Sequence, residues 1–169
     1  MNRGILPFAH CCGGDLLVDF GIREMNGRDK LIWAEMRAHL WPDEAPRAHA
    51  EAIETMLQDD DVWGFIAETS YVDAVGFLEV ALRKYANGCE SQPVPFLEGI
   101  WVDPRFRRQG VGARLLEYLE AFLTARGFRE IGSDTQIDNH TSQAAHLSWG
   151  FLETERVVYF RKVLNSSRR

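Results

Sequence analysis

The stretch Glu98-Gly99-Ile100-Trp101-Val102-Asp103-Pro104-Arg105-Phe106-Arg107-Arg108-Gln109-Gly110-Val111-Gly112-Ala113-Arg114-Leu115-Leu116 decides how the chain is read. It continues an apolar strand signal, Pro95 to Val102, which stops at Asp103-Pro104. A basic run follows, Arg105, Arg107 and Arg108, then Gly110-Val111-Gly112 and a long amphipathic pattern. Glycines at a helix start leave backbone N–H groups uncovered at the positive end of the helix dipole, an arrangement that binds phosphate. The arginines add positive charge beside it. A Walker-type loop requires Gly-Lys-Ser/Thr, but Ala113-Arg114 follows Gly112. A dinucleotide fingerprint requires a third small residue, and Leu115 stands there. Taken alone, the segment is equally compatible with a basic turn before an ordinary helix, so the flanks decide.

Downstream, Val111, Leu115, Leu116, Leu119, Phe122 and Leu123 recur at helical spacing, and Gly127 suits the helix end. Phe128 to Ser133 reads as a short strand. Asn139 is placed to start another helix that ends at Gly150. Phe151 to Leu164 reads as a closing strand or hairpin, with Val157 and Tyr159 alternating. Upstream, Leu17 to Met25 reads as a strand, and Asn26 suits the cap of a helix near Asp29 to Leu40. A second helix covers about Arg47 to Gln58. Val62 to Thr69 and Ala74 to Arg83 form an antiparallel hairpin. The expected fold is α/β (α+β): a mixed, mostly antiparallel central sheet flanked by helices. Met1 to about residue 17 is broken by Gly4, Pro7, Gly13 and Gly14 and reads as a leader or extension; residues 18 to 169 form one domain.

The 169 residues suffice for one core, with 46% hydrophobic and 26% charged residues. A net charge of -6 argues against nucleic acid and suits a cationic partner. Cys11, Cys12 and Cys89 make no disulfide framework and fit a reducing compartment. His10-Cys11-Cys12 lacks a spaced second pair, so no metal is expected. No apolar run approaches the ~20 residues of a membrane span. Cytoplasmic placement follows.

The loop Arg107 to Ala113 resembles the acetyl-CoA pyrophosphate loop of GNAT-superfamily N-acetyltransferases. The resemblance extends from about Gly21 to Lys162. Leu40-Trp41-Pro42, Tyr85-x-Asn87-Gly88, Pro95 to Ile100, Ser133-Asp134 and Gly150-Phe151-x-Glu153 to Val157 narrow it to the aminoglycoside 6′-N-acetyltransferases, resistance enzymes that acetylate an antibiotic amine. That resemblance implies acetyl-CoA as cosubstrate and a homodimer. It implies that Trp41 and Tyr85 line the aminosugar site, and that Glu98, Asp134 and Glu155 bind or activate the substrate. It implies that the backbone of Ile100, Trp101 and Val102 holds acetyl-CoA. Arg107, Arg108, Gln109, Gly110, Val111, Gly112 and Ala113 take its pyrophosphate, and Asn139 contacts it. The sequence departs from the family in two places. Glu44 stands where some members carry a substrate-site histidine. His146 stands where many acetyltransferases carry the tyrosine that protonates the thiolate.

Acyl transfer to such an amine requires a neutral nucleophile, a polarised thioester and a protonated leaving thiolate. Asp134 is the expected catalytic carboxylate, with Glu98 second. An unperturbed carboxylate, near pKa ~4, is a weak general base, so it requires a raised pKa or a water relay, or acts as an anchor. His146 is the candidate acid. Gly99 permits a bulge that frees backbone donors for the thioester carbonyl, or else admits close packing. Cys89, with no histidine near it in sequence, is not expected to carry the acyl group. Two other readings fit the same residues: an acetyltransferase for a polyamine, peptide or protein amine, and a non-catalytic acyl-CoA-binding module.

Overall fold

The computed structural model describes residues 19–71 and 73–164. The leader, with Leu17 and Val18 of the expected first strand, lies outside the described residues. The chain divides between Asp134 and Thr135 into two compact units.

In the first unit the element order is β1 (Phe20–Glu24), α1 (Lys30–Leu40), α2 (Pro46–Met56), β2 (Val62–Thr69), β3 (Ala74–Arg83), β4 (Val94–Val102), a 3-10 turn (Pro104–Phe106), α3 (Val111–Thr124) and β5 (Gly132–Ser133). The strands form one sheet in chain order. The first three pairings are antiparallel, and β4 runs parallel to β5. The expected mixed, mostly antiparallel sheet flanked by helices is therefore the observed one.

Two-residue alternation sorts the sheet into faces. On β2, Trp63 and Phe65 meet Phe122 of α3, and Phe65 also meets Tyr118. Gly64, between them, lies under the indole of Trp33 from α1, whose ring atoms come within 2.6 Å of where a Cβ would stand. Ile66 and Phe77 share that second face with Trp33, Met36 and Ile53, all buried. Trp63 and Trp101 are half-buried core residues; Trp101 stacks on His39 of α1 at 5.1 Å.

Helix starts differ in detail from the sequence expectation. Asn26 does not cap α1; its Oδ1 accepts from the Arg28 N–H at 3.1 Å, closing the turn that precedes the helix. Asp29 is the N-cap residue, and its carboxylate faces backward, to the Asn26 N–H and to Arg23. The strand expected over Phe128 to Ser133 shrinks to two residues. Ahead of it, Glu130 accepts from the N–H groups of Glu90 and Ser91, a side-chain tie in place of a ladder.

The second unit contains α4 (His140–Ser148), whose N-cap Asn139 accepts from the Ser142 N–H at 3.0 Å. The closing strand or hairpin expected over Phe151 to Leu164 is not formed: no described residue there is in a strand. Leu152, Val158 and Phe160 are exposed, and so are Val157, Tyr159 and Val163. Alternation is stabilising only where one face is covered, and here neither is. Among the described residues, no helix is long and apolar enough to cross a membrane.

Candidate active site

The centre of the site is an irregularity in β4. The β3–β4 register pairs Glu79 with Gly99 and then Val80 with Leu97, so Glu98 has no cross-strand partner. An extra residue of this kind turns the side chain that strict alternation would send to the other face. Here Glu98 reaches Arg83 of β3. Arg83 shares a face with Glu79, two strand repeats earlier, which contacts α1. Without the bulge, the next residue along from Leu97 and the residue opposite Glu79 would not both serve this face. Gly99 takes part in a second way. A Cβ there would stand 2.6–2.7 Å from the Trp41 ring and 2.8 Å from Leu40 Cδ2. Of the two sequence readings of Gly99, the close approach is realised; a bulge is present, but its extra residue is Glu98, and Ile100, Trp101 and Val102 keep their register with Leu78, Phe77 and Gly76.

Trp41, the residue that ends α1, is half-buried. Its ring meets Phe77 edge-on at 6.4 Å and carries the Arg37 guanidinium 4.6 Å above it. Arg37 in turn is ion-paired to Glu79, and Trp33 Nε1–H donates to the same carboxylate. Arg37 and Glu79 are both buried. Burial pushes the Glu79 carboxyl upward, against the opposing pull of Arg37. A buried charged anchor thus ties the end of α1, and Trp41 with it, to the strand pair at the bulge.

Glu98 accepts a two-point fork from Arg83, Nε to Oε1 at 2.8 Å and Nη2 to Oε2 at 2.6 Å. Asp134 is exposed and follows Ser133, which pairs in parallel with Leu97. Glu98 and Asp134 are therefore the next residues beyond one matched pair on adjacent strands. Glu44 lies in the turn after Trp41, its N–H donating to the Trp41 carbonyl at 3.2 Å. Its Oε2 is 3.4 Å from Nδ1 of the fully buried His49. Tyr85 is exposed in the loop after β3.

Ile100, Trp101 and Val102 complete β4 and lead to the basic loop. Asp103 accepts from the Arg105 N–H and guanidinium, which hold its carboxyl below the usual range. Arg107 Nε donates to the Val102 carbonyl at 2.9 Å, and Gln109 Nε2 to the Arg105 carbonyl at 2.8 Å. Arg108 (φ 62°) and Gly110 (φ 84°) are left-handed, and Gly110 is the N-cap of α3. Without a side-chain cap, the first N–H groups of α3 are left for an outside acceptor. Arg107 and Arg108 are exposed beside them. Uncovered backbone donors at a helix start beside exposed arginines are a donor set that suits a diphosphate.

The second unit carries Asn139, His146 and Glu155. Asn139 is engaged as the helix cap. His146 Nδ1 lies 2.8 Å from the Ser142 carbonyl, and its ring meets Trp149 and Phe151. A bond of that kind needs the proton on Nδ1, so a neutral ring carries its lone pair on Nε2. It releases a proton from Nε2 only as the imidazolium. Glu155 is exposed.

Four residues around this site escaped sequence reading: Arg37, Glu79, Arg83 and His49. Glu79 sits inside an otherwise apolar strand, which is the usual mark of a paired interior charge, whereas Arg83 is the last residue of that strand. His49 carried no such mark: it stands between Ala48 and Ala50 in a helix of mixed polarity, Pro46–Met56.

The acetyltransferase (GNAT) family model matches residues 29–151. The aminoglycoside N(6′)-acetyltransferase type 1 of Salmonella enteritidis is 44% identical over 142 residues, covering 83% of this chain and 97% of that protein. The enzyme of the same name from Stenotrophomonas maltophilia is 42% identical over 147 residues, covering 86% and 95%. Among solved structures, AAC(6′)-Iy in complex with the bisubstrate analog CoA-S-monomethyl-acetylneamine matches with a TM-score of 0.81 and 42% identity, covering 86% of this chain and 99% of that one. AAC(6′)-Ih from Acinetobacter baumannii matches with a TM-score of 0.81 and 34% identity, covering 86% and 99%.

Proposed function

Because the chain belongs to the acetyltransferase (GNAT) family, and within it to the aminoglycoside 6′-N-acetyltransferases, we propose that it transfers the acetyl group of acetyl-CoA to the 6′-amino group of aminoglycosides and so confers resistance. The observation that carries this reading is the single strand β4. It presents a bulged carboxylate, Glu98, and a few residues later delivers the chain to an uncapped, glycine-started helix flanked by arginines. One strand thereby serves both a cationic acceptor and a phosphate-bearing donor.

In this reading the cradle from Arg107 to Ala113 holds the pyrophosphate of acetyl-CoA, which supplies the thioester. Trp41, held against Gly99, offers an aromatic face to the aminosugar, and Tyr85 reaches it from the following loop. Glu98 and Asp134 bind acceptor ammonium groups, and Asp134 accepts the proton that frees the amine. Glu44 adds a carboxylate beside Trp41. The roles of Asn139 at the cofactor and Glu155 at the substrate rest on the resemblance alone, whereas His146 as acid rests on imidazole chemistry at a position where the chain departs from the family. Transfer is direct. Burial, together with Glu130, pushes the Cys89 thiol upward, opposite to what a nucleophilic thiolate requires.

The family match runs across the Asp134/Thr135 junction, which supports reading residues 18 to 169 as one acetyltransferase domain. The protein works in the cytoplasm, where acetyl-CoA is made, and as a homodimer. The test is thiol release from acetyl-CoA with a panel of aminoglycosides, polyamines and peptide amines. Release with aminoglycosides bearing a 6′-amine, and little with 6′-hydroxyl analogues, is expected. Comparable release with the hydroxyl analogues or with polyamines overturns the acceptor assignment, and no release with any amine overturns the enzyme.

A further inference from the structure

The Glu98 carboxylate is already occupied. Both of its oxygens accept from Arg83, at 2.8 and 2.6 Å, in the planar fork that a guanidinium makes with a carboxylate. The same guanidinium lies 3.5 Å from the centre of the Phe96 ring, so it is held from two directions. The pair is also within reach of solutes: the Arg83 and Glu98 side chains are 39% and 31% exposed. A pair exposed to that degree is screened by water and can be exchanged for another cation. A buried, purely structural pair is placed differently in this molecule, as Arg37–Glu79 shows.

From this geometry we infer that Arg83 is a specificity-determining residue of the acceptor site, a resident cation that neutralises Glu98 until a polycationic acceptor displaces it. The inference rests on the reading of Glu98 as an acceptor-binding carboxylate. A single ammonium gains little at Glu98, because it must replace a two-point contact with a weaker one. An acceptor bearing several ammonium groups can engage Glu98 and Asp134 together, and the second contact offsets the displacement of the first. Arg83 thus acts as an internal competitor that penalises monoamines more than polyamino sugars, which is specificity by an unfavourable exchange. Phe96 gives the displaced guanidinium a surface to remain on.

The experiment compares wild type with Arg83→Gln, Arg83→Lys, Glu98→Gln and the double variant, using an aminoglycoside with four or more amino groups and a monoamino sugar carrying the same 6′-amine. Arg83→Gln is expected to narrow the ratio of kcat/KM for the two acceptors by about tenfold, mainly by lowering KM for the monoamine. KM for acetyl-CoA should stay within about twofold. Arg83→Lys should keep a ratio near that of wild type, and Glu98→Gln added to Arg83→Gln should abolish the gain. If Glu98→Gln alone raises acceptor KM but Arg83→Gln leaves the ratio unchanged or raises both KM values, Arg83 is not a competitor and the inference fails by itself. If Glu98→Gln leaves acceptor KM unchanged, the acceptor role of Glu98 falls and takes the inference with it. Should Arg83→Gln not fold, Arg83→Met keeps the apolar contact with Phe96 and gives the same reading.

Discussion

A single methyl group added at Gly99 would meet the Trp41 ring at 2.6–2.7 Å and Leu40 at 2.8 Å, inside any real contact distance. Trp41 cannot retreat freely, because Phe77 and Arg37 hold its other sides. Gly99→Ala is therefore expected to cost about 1–3 kcal/mol in stability, as overpacking does. It should also raise aminoglycoside KM through displacement of Trp41. Thermal unfolding and initial rates check both; an unchanged Tm would mean that Trp41 moves aside without cost. Gly110 provides the contrast. Nothing lies within 4 Å of a Cβ there, yet its φ of 84° is left-handed. Gly110→Ala should cost about 1–2 kcal/mol through backbone strain alone, and should raise KM for acetyl-CoA and not for the acceptor. Asp134 tests the chemistry. Asp134→Asn keeps size and hydrogen bonding but removes the base, so kcat should fall by about 10²-fold or more while KM for acetyl-CoA holds. Unchanged turnover would reassign proton removal to water or to Glu98.

Helix α1 is the element that fixes the acceptor side, and charge fixes α1 at both ends. At its start, Arg23 of β1 donates to Asp29 and to Glu68 of β2. The Arg23 hydrogen bond holds the Asp29 carboxyl below its ordinary value near 3.8. A depressed acid stabilises the fold above its unfolded value, and that contribution is lost as pH falls through the lower folded value. Urea titrations from neutral pH into this acid window should show wild type losing stability more steeply than Asp29→Asn, which starts lower and changes less. Equal slopes would mean that Asp29 is not the group titrating. Nearer its end, α1 is held by Arg37 on the buried Glu79. Arg37→Met strands a buried carboxylate and should cost about 3–5 kcal/mol, much of it recovered when Glu79→Gln is added. Failure of the second substitution to recover stability would show that Arg37 acts through packing on Trp41 and Met56.

The elements that the sequence made legible are those whose signal is local. Helix α3 carries its own apolar stripe, and β2 and β3 have the bounds their composition predicts. The loop into α3 is legible in part for the same reason: its glycine and arginine positions suggest a phosphate loop, and its flanks decide against a plain basic turn. The acceptor side was legible only as resemblance. What places Glu98 beside Arg83 is a register shift between two strands, and neither strand alone encodes it. The segment from Phe151 to Leu164 shows the same limit in reverse. Its alternation predicts a strand, but a strand exists only with a partner, and within this chain the described residues supply none. Phe160 is 94% exposed, and Leu152, Val158, Tyr159 and Leu164 are exposed with it. So many exposed apolar side chains along one segment are characteristic of an interaction site. In the homodimer proposed above, a second copy of the chain is the expected partner for it, since a two-fold interface uses the same patch of both subunits. Sedimentation at micromolar concentration should accordingly show a dimer. Phe160→Asp, which puts a charge at an exposed position of that segment, should shift it toward monomer while far-ultraviolet circular dichroism stays unchanged. A wild type that sediments as a monomer, or a variant that dimerises as tightly as wild type, would exclude this segment as the dimer surface.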